Sequence, residues 1–390
     1  MASTITFSDG NLGRRNPSSD ATAALFFLHT HTAAAQHRIF SLQEAEELGF
    51  TQAQDLADNT LVWFHIREFY RRAPGRELHI CFTDHEDLTN AELRAWLDTV
   101  IRALNGSLRL IALCGNRAPA TWTQLLADLA TELNAQAAAN RFVTCLLEGA
   151  DFWPAAGNKG AVPALANTQS RLALVVGKDN SQLAYEEEVG ATYSGAAIGT
   201  ILGLCAAARV NQSIGEVAAF PLGDGEAFTT AYLSGDKPYA ALTDTQRATL
   251  AADRIIYLLT YVGQAGLYVN LDPTRATLAS DYALLARRRV ADKIARLAYT
   301  GQLQFVQSNL AITAAGRIAP ESIAIIETAL RQTIEREMVT TNELSSILIS
   351  IDPTQDILAT DELVIDYIAT PTGRADLIRG QIRYNNPNNA

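Results

Sequence analysis

Residues 77–115 read ELHICFTDHEDLTNAELRAWLDTVIRALNGSLRLIALCG, two short apolar runs separated by one longer periodic stretch. HICF and LRLIALC are each too short for a lone helix, which favours strands. Between them, the apolar residues of NAELRAWLDTVIRALNG recur at three and four, and the pattern stops at Gly106 as a helix C-terminus does. Thr89 is placed to cap this helix, with the acidic loop before it. Strand, helix, strand in this order implies parallel strands joined by a right-handed crossover.

The alternation continues outward. ATAALFFLH (21–29), RFVTCLLEG (141–149) and RLALVVGKD (171–179) read as further strands, and TLVWFHIREFYRRA (60–73) and APATWTQLLADLATELNAQAAAN (118–140) as helices. The expected fold class is therefore α/β, a mostly parallel sheet with flanking helices. Residues 216–277 change texture to short strands and turns. Then comes a long helix from Ser280, a plausible N-cap, to Gly301, with Tyr282, Ala286, Val290, Ile294 and Leu297 forming one apolar stripe. Arg287, Arg288, Arg289, Lys293 and Arg296 lie largely off that stripe, and read as a solvated face or one covered by another acidic surface. A second amphipathic helix follows Pro320, with Ile323, Ile326, Leu330 and Ile334 inward and Thr328, Gln332, Glu335 and Arg336 outward.

The C-terminal end reads as an α+β region closing in a β-hairpin. SSILISIDP (345–353) is a strand and turn. Asp361–Thr370 alternates Leu363, Ile365 and Tyr367 against Val364, Asp366 and Ile368, and Arg374–Tyr384 alternates in the same way after the Pro-Thr-Gly turn. At the other end, STITF (3–7) is a short strand cut from the body by SDGNLGRRNPSSD, which is rich in turn formers. A detached strand and an open hairpin edge both need a host.

Composition limits the function. The 390 residues carry a net charge of −11, which argues against nucleic acid as a partner because phosphate binding needs a concentrated basic surface. The four cysteines, Cys81, Cys114, Cys145 and Cys205, sit in apolar runs without metal-ligand spacing and read as buried thiols of a reducing compartment. MASTITFSDG has no basic region followed by an apolar core, so no signal peptide is expected and assembly in the cytoplasm is the default. Residues 189–208 run without a charge, with Gly195, Gly199, Gly203 and Ala207 four apart. Polar Thr192, Tyr193, Ser194 and Thr200 dilute that run, which suits a buried helix better than a membrane span.

Catalytic motifs are absent: no phosphate loop, no GxGxxG after a strand, no HExxH and no GxSxG. Asp224 in PLGDGEAF reads as a turn, and His29 and His31 lack the further ligands a metal site needs. Asp84, His85, Glu86 and Asp87 follow a strand's carboxyl end, where α/β enzymes place their groups. A cytoplasmic enzyme using Asp84, His85 and Asp87 is thus one reading. No cofactor is expected.

Whole segments, however, resemble one family. SDYALLARRRVADKIARLAYTGQLQ (280–304), APESIAIIETALRQTIEREMV (319–339) and ILISIDPTQDILATDELVIDYIATPTGRADLIRGQIRYNNP (347–387) are similar to the C-terminal half of contractile-tail sheath proteins of phage tails, R-type tailocins and phage-like injection systems. TITFSDGNLGRR (4–15) and AAIGTILGLCAAARVNQSIGEV (196–217) resemble sheath-like members too. The resemblance implies a structural subunit, not an enzyme, that polymerises helically around an inner tube and contracts to drive it through a target envelope. It implies partners in other copies of itself, an inner tube protein, and baseplate and cap proteins, without direct membrane insertion, in a particle built in a bacterial cytoplasm. It implies an arm at 1–19, a body at 20–280 and a sheath core region at 281–390. Arms of one subunit would add strands to a neighbour's hairpin through Thr4, Ile5, Thr6, Phe7, Leu363, Val364, Ile365, Ile378, Ile382 and Tyr384, and Gln332, Glu335 and Arg336 would face the tube. A ring-forming baseplate or terminator component sharing these elements is a further reading.

Overall fold

The computed structural model describes residues 20–29, 36–83, 88–115, 119–223, 225, 227–375, 379 and 381. The chain divides into two compact units, Met1–Thr300 and Gly301–Ala390. In chain order, the first carries strands β1 (Ala23–Phe27) and β2 (Gln36–Ile39), helices α1 (Leu42–Glu47), α2 (Gln52–Asp58) and α3 (Val62–Arg72), β3 (Leu78–Phe82), α4 (Asn90–Ala103), β4 (Leu110–Cys114), α5 (Trp122–Ala138), β5 (Thr144–Glu148), β6 (Leu172–Val175), β7 (Gly177–Asp179), α6 (Asn180–Val189) and α7 (Ile198–Ala207). Short strands β8 (Ala231–Leu233) and β9 (Lys237–Pro238), α8 (Asp244–Ala252), β10 (Leu258–Leu259), β11 (Tyr268–Val269) and the long helix α9 (Leu285–Gln302) follow.

Among the described residues, one six-stranded sheet has the order β2-β3-β1-β4-β5-β6. All its pairings are parallel except β2 with β3. Every residue of β1 is buried because both faces of the sheet are covered. Leu25 and Phe27 pack with Ile66 and Phe69 of α3 and with Ile201 and Leu202 of α7. Ala24 and Phe26 pack with Leu93 and Leu97 of α4 and with Leu126 and Leu129 of α5. This three-layer arrangement explains why the strands read as continuous apolar runs. Thr89 and Glu92 form a reciprocal capping box at the start of α4, in line with the sequence reading of Thr89. The run 171–179 divides: β6 joins the large sheet, whereas β7 pairs antiparallel with β8.

The glycine stripe has a structural use. A Cβ on Gly199 would lie 2.3 Å from the His65 carbonyl oxygen, and one on Gly203 2.8 Å from that of Phe69. Only glycine lets α7 lie this close to α3, and α7 is buried almost throughout. All four cysteines are buried and unpaired.

Helix α9 starts later than the sequence pattern suggests. Its N-terminal amides are met by Asp272 rather than Ser280: Leu285 N donates to the Asp272 carbonyl at 2.8 Å and Ala286 N to its carboxylate at 3.0 Å. Of the basic run, only Arg287 is exposed. Arg289 and Lys293 are buried, and Arg171 and Arg288 both pair with Asp292 at 2.7 Å. Arg289 donates to the carbonyls of Ala208 and Arg209 beyond the end of α7. The acidic cover that the sequence leaves open comes from within the chain, Asp20 and Asp292.

The second unit contains α10 (Pro320–Ile334), a π-helical turn (Glu335–Val339), β12 (Leu344–Ser350), α11 (Ile357–Thr360) and β13 (Asp366–Pro371). Pro320 opens α10 at a position where a missing N–H costs nothing. Ile326, Leu330 and Ile334 are buried as read, while Ile323 is only half-buried. A β-hairpin is present as expected, and its described ladder runs between β12 and β13. Asp366–Pro371 pairs antiparallel with Leu344–Ser350, with a bulge near Ser345. Of 374–384, the stretch expected to pair with it, most lies outside the described residues. Asp361–Ile365 stays out of the ladder: Asp361 takes a left-handed conformation closing α11, and the Gln355 side-chain amide occupies both backbone groups of Val364 at 2.8 and 2.9 Å.

Candidate assembly surfaces

The β12–β13 hairpin has two unlike faces. Ile347, Ile349 and Ile351 are buried, and the backbone amide of Ile351 donates to Glu327 of α10 at 3.0 Å. Tyr367, cross-strand from Ile349, accepts from Gln302 at 2.8 Å through its hydroxyl. On the opposite face, Ser346, Leu348 and Ser350 stand against Thr370, Ile368 and Asp366. Leu348 and Ile368 are direct cross-strand partners and each is more than half exposed. Among the described residues, no third strand lies beside either β12 or β13.

Of the expected strand-exchange residues, Leu363 and Ile365 are half-buried and Val364 is exposed, immediately ahead of β13. Thr4, Ile5, Thr6, Phe7, Ile378, Ile382 and Tyr384 lie outside the described residues. Sequence reasoning does not find Leu348 and Ile368 as a pair, because their apposition depends on which strand β13 chooses. Around them, Asp352, Asp356, Asp361, Glu362 and Asp366 are all exposed, with no basic residue from 352 to 366.

Gln332, Glu335 and Arg336, expected on the tube face, are exposed at the end of α10 and in the π turn. That turn is made by the Thr340 amide donating to the Glu335 carbonyl at 2.9 Å, five residues back. Arg336 pairs with Glu337 at 3.0 Å in the open, which leaves both charges available to a partner.

In the first unit, the place where an α/β enzyme would hold a ligand is the carboxyl edge between β1 and β4, where strand order reverses. Asp84, His85, Glu86 and Asp87 lie outside the described residues, as do His31 and Asp224. Several of the described residues at this edge are hydrogen-bonded to one another, while both ring nitrogens of the buried His65 and the hydroxyl of Thr83 make no hydrogen bond. Leu28 N donates to the Cys114 carbonyl, and Glu148 accepts from the amides of Gly115 at 2.8 Å and Ala196 at 2.9 Å. Burial pushes the Glu148 carboxyl up to about 8, so it is mostly protonated at neutral pH. Burial also takes His65, 3.9 Å from Glu148, down to about 3 and keeps it neutral. Beside them the buried Lys178 ammonium contacts Glu186, Ser194 and Asp236, while Ser194 Oγ also donates to Asp236 at 2.7 Å and accepts from Gly235 N at 2.6 Å. These contacts of Lys178 tie the segments around β7, α6 and β9 together. No group of His, Cys, Asp and Glu among the described residues is arranged to hold a metal ion.

Residues 4–271 match the DUF2586 N-terminal domain and residues 281–389 the DUF2586 C-terminal domain. The chain belongs to the DUF2586 family. Comparison with curated proteins gave no match. Among solved structures, a chain of the anti-feeding prophage baseplate aligns with 99% of this DUF2586 chain and 99% of its own length at 14% identity, TM-score 0.62. A chain of an extracellular contractile injection system, the PVC sheath complex in its contracted state, aligns over 99% and 98% at 11% identity, TM-score 0.59. The sheath tail protein of Desulfitobacterium hafniense aligns over 95% and 100% at 12% identity, TM-score 0.53. This DUF2586 chain therefore has the fold of tail sheath proteins, α/β with a C-terminal hairpin. Among the described residues, no helix is long and apolar enough to cross a membrane.

Proposed function

We propose that the chain is a sheath subunit that polymerises helically around an inner tube and contracts to drive that tube through a target envelope. The observation that carries this is the hairpin of the second unit, with both edges unpaired among the described residues and an apolar cross-strand pair left on its surface. Likeness over nearly whole chains to a contracted sheath complex supports it. In this reading arm 1–19 and strand 374–384 leave body 20–280 and core region 281–390 to add strands to neighbouring hairpins, through Thr4–Phe7, Ile378, Ile382 and Tyr384 on one side and Leu363–Ile365 on the other. Main-chain hydrogen bonds then tether subunits whose bodies remain free to rotate. Arg374, Arg379 and Arg383 would bring positive charge to a hairpin flanked by the acidic run 352–366. Gln332, Glu335 and Arg336 face the tube; baseplate and cap proteins bound the polymer; assembly takes place in a bacterial cytoplasm, within a phage tail or phage-like particle.

A second reading, a ring-forming baseplate component, is favoured by the likeness to the anti-feeding prophage baseplate chain. Negative-stain electron microscopy of the concentrated full-length protein separates the two. Hollow ridged tubes are expected; closed rings of fixed size would favour the second reading. Small discrete particles only, even with tube and baseplate proteins co-expressed, would overturn both.

A further inference from the structure

We propose that Asp20, held by Lys293 and Arg296 of α9, is the root that fixes the N-terminal arm to the body, so that tension on the arm is taken up at the amino end of the central strand β1. This rests on the arm acting as a tether between copies of the chain.

The Asp20 carboxylate pairs with Lys293 at 2.7 Å through one oxygen and with Arg296 through the other. Both contacts are charge-assisted hydrogen bonds in a largely buried setting. Burial alone would raise the Asp20 carboxyl, yet the two cations hold it below its usual range. The helix supplying them is itself fixed by Asp292 to Arg171, next to β6, and by Arg289 to the end of α7. Load on Asp20 therefore passes to several elements of the first unit.

Behind the clamp stands β1. The Thr22 carbonyl accepts from Arg109 N at 3.0 Å and Leu110 N at 3.2 Å, and Ala23 N donates to the Glu77 carbonyl at 3.2 Å. From Ala23 to Phe27 the strand is flanked on both sides, by β3 and by β4, each in parallel register. A pull along the strand from its amino end loads these evenly spaced bonds together in shear. A pull on an edge strand would open them one at a time. An arm attached to β2, at the sheet's edge, would peel; an arm attached to β1 does not.

The test compares full-length wild type, a chain lacking residues 1–19, Asp20→Asn and Asp20→Glu. Tubes are titrated with urea, following their loss by light scattering and body unfolding by circular dichroism. Amide exchange is measured across residues 21–25. For Asp20→Asn we expect exchange there to rise at least about tenfold, the factor that 1.4 kcal/mol produces. Its tubes should dissociate at clearly lower urea than wild type, by more than any fall in the body's own midpoint, and Asp20→Glu should recover most of the loss. If removing 1–19 abolishes tubes but Asp20→Asn tubes match wild type, the root lies elsewhere and the proposal is wrong while the tether stands. The proposal is equally wrong if tube and body midpoints fall in parallel, since the clamp is then only structural. If the chain without 1–19 forms normal tubes, the tether itself fails. Should Asp20→Asn not fold, Lys293→Gln and Arg296→Gln answer the same question from the other side.

Discussion

Strand β1 and strand β13 are close in length and opposite in character. AALFF is buried at every position, paired on both edges and covered on both faces. Among the described residues DYIATP has one partner, and it is exposed at all but Tyr367. In the first unit the central strand is wholly enclosed, whereas among the described residues the second leaves β13 paired on one edge only. In the proposed reading, the body around the enclosed sheet is the part that would move, and the hairpin is where neighbours would join.

The contrast breaks first if the first unit tolerates disruption. Gly199→Val places methyl groups where the His65 backbone lies, forcing α7 away from α3. A loss of more than about 3 kcal/mol, with most of the protein insoluble on expression, is expected. Thermal unfolding of whatever remains soluble checks it, and a midpoint near wild type would mean the two helices are not tightly apposed.

A smaller effect comes from pH. Glu148 is raised from 4.5 to about 8 and Glu186 from 4.5 to about 7, both chiefly by burial. Groups raised in this way contribute stability at low pH that is lost as pH climbs through the folded values. His65 acts oppositely, but its effect is confined below its ordinary value of 6.5. Between pH 6.5 and 8 the carboxyls act without it, so stability should fall by about 2 kcal/mol across that window. Glu148→Gln lowers stability overall, because one backbone amide loses its acceptor, yet it should flatten the decline. Unfolding midpoints at pH 6.5, 7 and 8 for both proteins decide; equal slopes would show that Glu148 does not carry it.

The sequence is most legible where local pattern and burial agree. Strands covered on both faces appear as unbroken apolar runs, and helices α3, α4 and α5 as repeats of three and four. Gly199 and Gly203 announce a close approach, though not its partner. What stays hidden depends on contacts far apart in the chain. The basic side of α9 looks like a solvent face because Asp20, which pairs with Lys293 and Arg296, lies some 270 residues earlier. Ser280 looks like a cap because Asp272 reaches α9 only once the chain has folded back. The hairpin is hard to read for a similar reason: three alternating stretches near the C-terminus are all fit to pair, and periodicity does not say which two do. Strands β2 and β9 are too short and too polar to announce themselves.

The smallest expected change in stability belongs to Ile368→Lys, and it tests the contrast most directly. Ile368 is 58% exposed and faces its cross-strand neighbour Leu348, 55% exposed, on the side away from Ile347 and Ile349. In an isolated subunit the lysine stem can lie over Leu348 with its ammonium in water, so unfolding should shift by no more than about 0.5 kcal/mol. In a polymer the same position would be covered by a neighbour, and a buried ammonium with no partner costs several times that. A folded subunit that no longer forms tubes is therefore the expected result, from circular dichroism and negative-stain images of the same preparation. Normal tubes from Ile368→Lys would mean that this face stays open to solvent in the assembly, and the reason for its two exposed apolar residues would have to be sought in the edges of the hairpin alone.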